Sequence, residues 1–126
     1  MPKTLAKFQK MVYNHKKVVK SGLKWVKERG FKLIGQMMIG LPDSTLEREL
    51  HTAEKICEMN ADGARIYPTV VFYQTELCSM MQSGLYSALS NEEAVERTKE
   101  VLKVFAKRNV PCIRIGLCAG ENLSNE

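Results

Sequence analysis

Gln36, Arg65 and Arg114 are polar residues standing inside short runs of apolar sequence. Gln36 interrupts the stretch Leu33 to Ile39, and its amide both donates and accepts, so it either faces a ligand or has a buried partner. Arg65 and Arg114 lie in runs 64–67 and 110–115, where an unpaired cation is costly. One resolution is a Glu or Asp at a strand end. Cys57, Cys78, Cys112 and Cys118 form no C-x-x-C pair and have no paired histidine, which reads as reduced thiols, three of them small core residues, rather than a metal site. Gly40-Leu41-Pro42 is no glycine-rich cradle and no G-K-[ST] follows it, which argues against a phosphate loop.

The elements that must carry these residues are legible in order. Residues 4–28 have a helical period, with Met11, Val12, His15, Val18, Val19, Gly22, Leu23 and Val26 at three- and four-residue intervals and Gly30 as a stop. His15 is on the apolar side and reads as a half-buried histidine rather than a ligand. Phe31 to Met38 is strand-like, and the apolar run Leu33 to Ile39 is broken by Gly40 and Pro42. Ser44 and Glu47 then fit an S-x-x-E capping box for a helix to Met59, with Leu46, Leu50, Ala53, Ile56 and Cys57 on one face. Ala64 to Tyr67 is a second strand, stopped by Pro68, and residues 69–73 continue extended. Thr75 caps a short helix to Gln82, with Gly84 as its stop. Ser90 and Glu93 make a second capping box for a helix to Arg108, with Ala94, Val95, Val101, Leu102 and Phe105 on one face; Val110 to Ile115 is a third strand. Segments 85–89 and 116–126 read as loops.

Alternating strands and helices predict an α/β fold with a parallel sheet. Three strands cannot close a barrel, so two edges stay unpaired and the pattern looks like a piece of something larger. The 126 residues suffice for one domain with a modest core. No apolar run approaches a membrane span, and lysines interrupt every candidate secretory signal, so the expected location is cytoplasmic. The net charge of +5 is uneven: residues 1–32 hold ten Lys/Arg against Glu28 alone, whereas the remainder is net −4. That division predicts either a basic helix contacting RNA phosphates or an anionic surface, or a solvated lysine-rich face.

Gln36-Met37-Met38-Ile39-Gly40-Leu41-Pro42, followed by Arg65-Ile66-Tyr67-Pro68-Thr69 and Gln74-Thr75-Glu76-Leu77, resembles the radical S-adenosylmethionine enzymes, nearest to the Elongator catalytic subunit and the oxygen-independent coproporphyrinogen III oxidases. The resemblance runs from about Phe31 to Leu117. It implies a partial (β/α) TIM-like barrel of about three parallel strands with flanking helices, occupying 31–117, with 1–30 a basic amphipathic helix leading into it and 118–126 a tail. In that family a [4Fe–4S] cluster held by C-x-x-x-C-x-x-C binds S-adenosylmethionine through its open iron, and one electron yields a 5′-deoxyadenosyl radical. No such cysteine spacing occurs here, so the resemblance implies the cofactor-side half of the barrel without its cluster loop, inactive alone. It further implies that Gln36 contacts the ribose of S-adenosylmethionine, that Gly40 shapes the turn beneath it, and that Tyr67 to Val70 line the adenine side. Gln36 as a core amide and Tyr67 as a ligand-free sheet-end aromatic remain open. Arg65 and Arg114 would face the lumen and hold substrate or cofactor anions. The implied partners are the missing N-terminal half, or self-association through open strand edges. The competing expectation is a nonenzymatic RNA-binding α/β module working through the lysine-rich first helix.

Overall fold

The computed structural model of the chain describes residues 17–116; Met11, Val12, His15, Cys118 and the tail lie outside them. The chain packs as two compact units, 1–33 and 34–126.

In the first unit, residues 17–28 form helix α1. Gly30 ends it at φ +79°, with its N–H on Lys27 O at 3.0 Å and the Phe31 N–H on Val26 O at 3.3 Å. A left-handed residue just past the helix is what satisfies otherwise orphaned carbonyls, and glycine takes that conformation without Cβ strain. Lys17, Lys20 and Lys24 are exposed, Leu23 and Val26 half-buried. The Arg29 guanidinium stacks 3.9 Å over the ring of Trp25, itself half in solvent.

The second unit runs β1 (Ile34–Ile39), α2 (Leu46–Glu58), β2 (Gly63–Pro68), α3 (Glu76–Gln82), α4 (Asn91–Lys107) and β3 (Cys112–Ile115). The strands form one parallel sheet in the order β1-β2-β3, the open α/β arrangement that the alternating pattern predicts. Parallel pairing needs long crossovers, and here helices supply them. The third strand begins at Cys112 rather than Val110. Pro111 has no N–H for a ladder, though its carbonyl still accepts from Ala64 N at 2.9 Å.

The core lies on one face of the sheet. Met37 and Ile39 from β1 and Ala64 and Ile66 from β2 pack with Ala53, Ile56 and Cys57 of α2 and Val101 and Phe105 of α4. Gly35 has no side chain because none fits: a Cβ there runs into Ile56. In α4 the buried stripe is Thr98, Val101 and Phe105. Val95, expected on that face, is 68% exposed because 100° per residue carries it off the stripe. β1 alternates exposed and buried at every position, so among the described residues of this unit helices cover only one face of it. Ile34, Gln36 and Met38 stand on the other face, uncovered.

Candidate functional site

The site is built where β1 ends. Gly40 takes φ +82°, and Asp43 φ +60°, so the chain turns sharply before α2. A Cβ at Gly40 would also meet Leu89, giving this glycine two independent reasons.

The expected Ser44–Glu47 capping box does not form. The N-cap of α2 is Thr45, whose Oγ1 accepts from Arg48 N at 3.2 Å, and position N3 is therefore an arginine with no carboxylate to reach back. Ser44 is taken by a stronger acceptor: its Oγ donates to Glu49 Oε2 at 2.7 Å. Glu49 is 2% exposed, and the same oxygen accepts the Gly40 N–H at 2.8 Å. Arg97 of α4 closes the group, with Nε on Oε1 at 2.8 Å and Nη2 on Oε2 at 2.6 Å. This is the two-pronged geometry in which guanidinium and carboxylate bind most strongly. Nη2 also reaches Ser44 O at 3.4 Å.

Two further bonds pin the same turn. Tyr86 donates its hydroxyl to Gly40 O, and burial pushes that phenol above its usual range, Arg97 opposing. Thr69, one residue past β2, gives both its N–H (2.8 Å) and its Oγ1 (2.7 Å) to Ile39 O. The strand end is thus held by side chains from α2, α4, the segment before α4, and the exit of β2. Glu49, Arg97 and Tyr86 are absent from the sequence reading. A lone Glu in an amphipathic helix and an Arg about fifty residues later look like ordinary surface charges. The only signal was that Glu49 lies on the same helical face as Ala53 and Ile56.

Above this braced turn, on the uncovered face, Gln36, Met38, Tyr67, Pro68, Val70 and Phe72 border a shallow depression of about 240 Å³. β1 and β2 run parallel, with Gln36 opposite Arg65 and Met38 opposite Tyr67, so Gln36 and Tyr67 are diagonal neighbours. Gln36 is exposed rather than held in the core, Tyr67 is half-buried and Val70 exposed. Gly40 lies beneath at the strand end, buried, and does not line the depression. Arg65 is exposed on the same face as Gln36, and a bulge at Ala64/Arg65 sets Arg114 opposite it. Arg114 directs Nε at Gly116 O, 3.2 Å away.

The described cysteines do not suit an iron–sulfur cluster. Cys57 and Cys78 are buried and Cys112 is half-buried, each on a different element, and no group of three or more His, Cys, Asp or Glu comes together among the described residues. Burial pushes the Cys57 thiol up, away from the thiolate a metal requires. Nor is any helix of the described residues long and apolar enough to cross a membrane.

Comparison with known proteins agrees with this architecture. Residues 61–125 match the family model of the Radical SAM C-terminal domain, and the chain belongs to that family. Over 79 residues, 60% of the chain, it is 35% identical to Elongator complex protein 3 of Homo sapiens and 30% identical to that of Saccharomyces cerevisiae. Over 74 residues, 56% of the chain, it is 34% identical to the tRNA uridine(34) acetyltransferase of Methanocaldococcus jannaschii. The chain spans 14% of the length of each of these relatives.

Proposed function

We propose that these residues are the S-adenosylmethionine side of a radical S-adenosylmethionine barrel, inactive until a cluster-bearing segment completes it. The observation that carries this reading is the placement of Gln36 and Tyr67, diagonal neighbours on the uncovered face of parallel strands, bordering one depression. The Gln36 amide would bond the ribose hydroxyls as both donor and acceptor. Tyr67, Pro68 and Val70 would supply the apolar wall against the adenine. The braced turn at Gly40 would keep this rim fixed, since a rigid support limits the ordering cost of binding. Cleavage of the cofactor belongs to the cluster when one is present; the described residues do not fit a cluster, and no chemical step is assigned to them. The [4Fe–4S] group would be held by cysteines in the partner segment, and the proposed location is the cytoplasm, where the free thiols stay reduced.

Equilibrium dialysis of the chain against S-adenosylmethionine tests the reading. Weak saturable binding is expected, reduced about fivefold in Gln36→Ala, the loss of about 1 kcal/mol of hydrogen bonding. No binding at millimolar ligand removes it. Anaerobic reconstitution should leave the isolated chain without a cluster; about four irons per chain would overturn that assignment.

A second reading has its own support in α1. Lys17, Lys20 and Lys24 are exposed beside a half-exposed Trp25 stacked by Arg29, a combination suited to phosphates and an unstacked base. RNA affinity that does not fall as salt rises would eliminate it.

A further inference from the structure

Pro68, Val70 and Phe72 border the depression, whereas Thr69 and Val71 between them do not. A period of two is that of extended chain, so this wall carries on in the direction of β2 after its last strand residue, Pro68. There it outruns its partner. β1 ends at Ile39, opposite Pro68, and residues 69–72 belong to no helix or strand. Chain beyond the end of a ladder is easily displaced unless other bonds hold it.

Thr69 supplies such a hold. Its N–H makes the last bond that β1 can accept, 2.8 Å to Ile39 O, and its Oγ1 donates to the same oxygen at 2.7 Å. Both lone pairs of that carbonyl are then occupied by one residue. The Ile39–Gly40 peptide is fixed on its other side as well, because the Gly40 N–H lies on Glu49 Oε2 at 2.8 Å. Thr75 holds the far end of the wall, its Oγ1 donating to Phe72 O at 2.7 Å. Any residue except proline could give the N–H of position 69 to Ile39. The second bond needs a hydroxyl.

We propose that Thr69 is a positioning residue for the depression. Its side-chain bond to the Ile39 carbonyl fixes the direction in which Pro68, Val70 and Phe72 leave the sheet, and so sets the wall before a ligand arrives. Thr69 touches no ligand and acts through the residues on either side of it. A wall ordered in advance lowers the ordering cost of binding. The inference rests on the nucleoside reading for what fills the depression, and not for the wall itself.

Thr69→Val removes the hydroxyl at nearly constant shape and keeps the N–H, so Ile39 O is not left bare. Thr69→Ser restores a hydroxyl. Both are made in the full 126-residue chain, which is followed by backbone NMR relaxation and by equilibrium dialysis against S-adenosylmethionine. In Thr69→Val, order parameters at Val70, Val71 and Phe72 should fall from about 0.85 towards 0.6, while those of Ile66 and Val101 stay as they were. S-adenosylmethionine should bind about fivefold more weakly, the worth of one hydrogen bond. Thr69→Ser should keep both properties within about twofold of the parent.

Equal loosening at Ile66 and Val101 would make the hydroxyl a general stabiliser and overturn the proposal. So would unchanged order at 70–72, or a serine that restores nothing. A loss of affinity without loosening would put the hydroxyl on the ligand itself, which also overturns it, as does loosening without loss of affinity in a chain that binds. A parent chain that binds no S-adenosylmethionine, with 70–72 still loosened by Thr69→Val, removes the nucleoside and keeps the positioning role.

Discussion

The two faces of this sheet obey opposite rules although they are made by the same residues in alternation. On the helix-covered face, Ile39, Ala64, Ile66 and Val101 are fully sealed, and a glycine at position 35 is required for Ile56 to come close. On the other face, Ile34 and Met38 are about two-fifths exposed, and Gln36 and Arg65 carry polar groups into the open. The first face holds the fold together through burial and close packing. The second contributes little to stability and is free to be specific. Below the strand end, a buried ion pair joins them, since Glu49 and Arg97 fix the turn from which the open face is presented.

The sharpest way to break that division is at the pair. Arg97 is 16% exposed in its side chain and Glu49 2%. Arg97→Ala leaves a buried carboxylate without its cation, and we expect a loss of about 3–5 kcal/mol in urea unfolding. The loss should be smaller when Glu49→Leu is combined with Arg97→Met, because the stranded charge is then gone. If Arg97→Ala costs under about 1 kcal/mol, the brace is a surface pair and the turn is held by other means.

Phe105→Ala, at 1% exposure, should cost a similar 3–5 kcal/mol, while Met38→Ala on the open face should cost under about 1 kcal/mol. Equal losses would show that the open face is covered in solution. The expected cover, in the isolated chain, is another copy of itself. Sedimentation should therefore show self-association that grows with concentration and falls in Met38→Lys. A monodisperse monomer with one cooperative transition would count against an unfinished half-barrel.

The smallest effect belongs to Tyr86. Its phenol is raised in the folded state from an ordinary value of 10.0, chiefly by burial. The folded chain thus holds that proton more tightly than the unfolded chain. The associated stability is whole below about pH 10 and is lost as pH rises through the folded value. Tyr86→Phe should cost about 1 kcal/mol at neutral pH and lack that alkaline step. An identical alkaline profile in the variant would mean that Tyr86 does not titrate from a buried position.

Much of this was legible because it is local. The apolar run of β1 broken by Gly40 and Pro42, the Ser90 cap that accepts from Glu93 N at 3.1 Å, and the Gly84 stop at φ +81° all depend on residues a few positions apart. The direction of Gln36 was not legible in that way, because a nearly unbroken apolar run hides the alternation of exposed and buried positions that β1 has in the fold. The Ser44 cap misled because its hydroxyl had two suitors, and the one that won comes from a buried carboxylate tied to a helix far along the chain.

The amino-acid order alone determined the succession of strands and helices, and with it a parallel sheet, because backbone hydrogen-bonding periods and glycine or proline breaks are written over three or four residues. It also determined that no cluster-binding cysteine spacing is present in these 126 residues. Only the folded chain decided that Glu49 is buried, that Arg97 and Tyr86 converge on one turn, and that Arg65 stands opposite Arg114. Those depend on strand register, a single bulge and crossovers that bring residues about fifty positions apart into contact. Register is set by packing of whole elements, and no short window of sequence contains it.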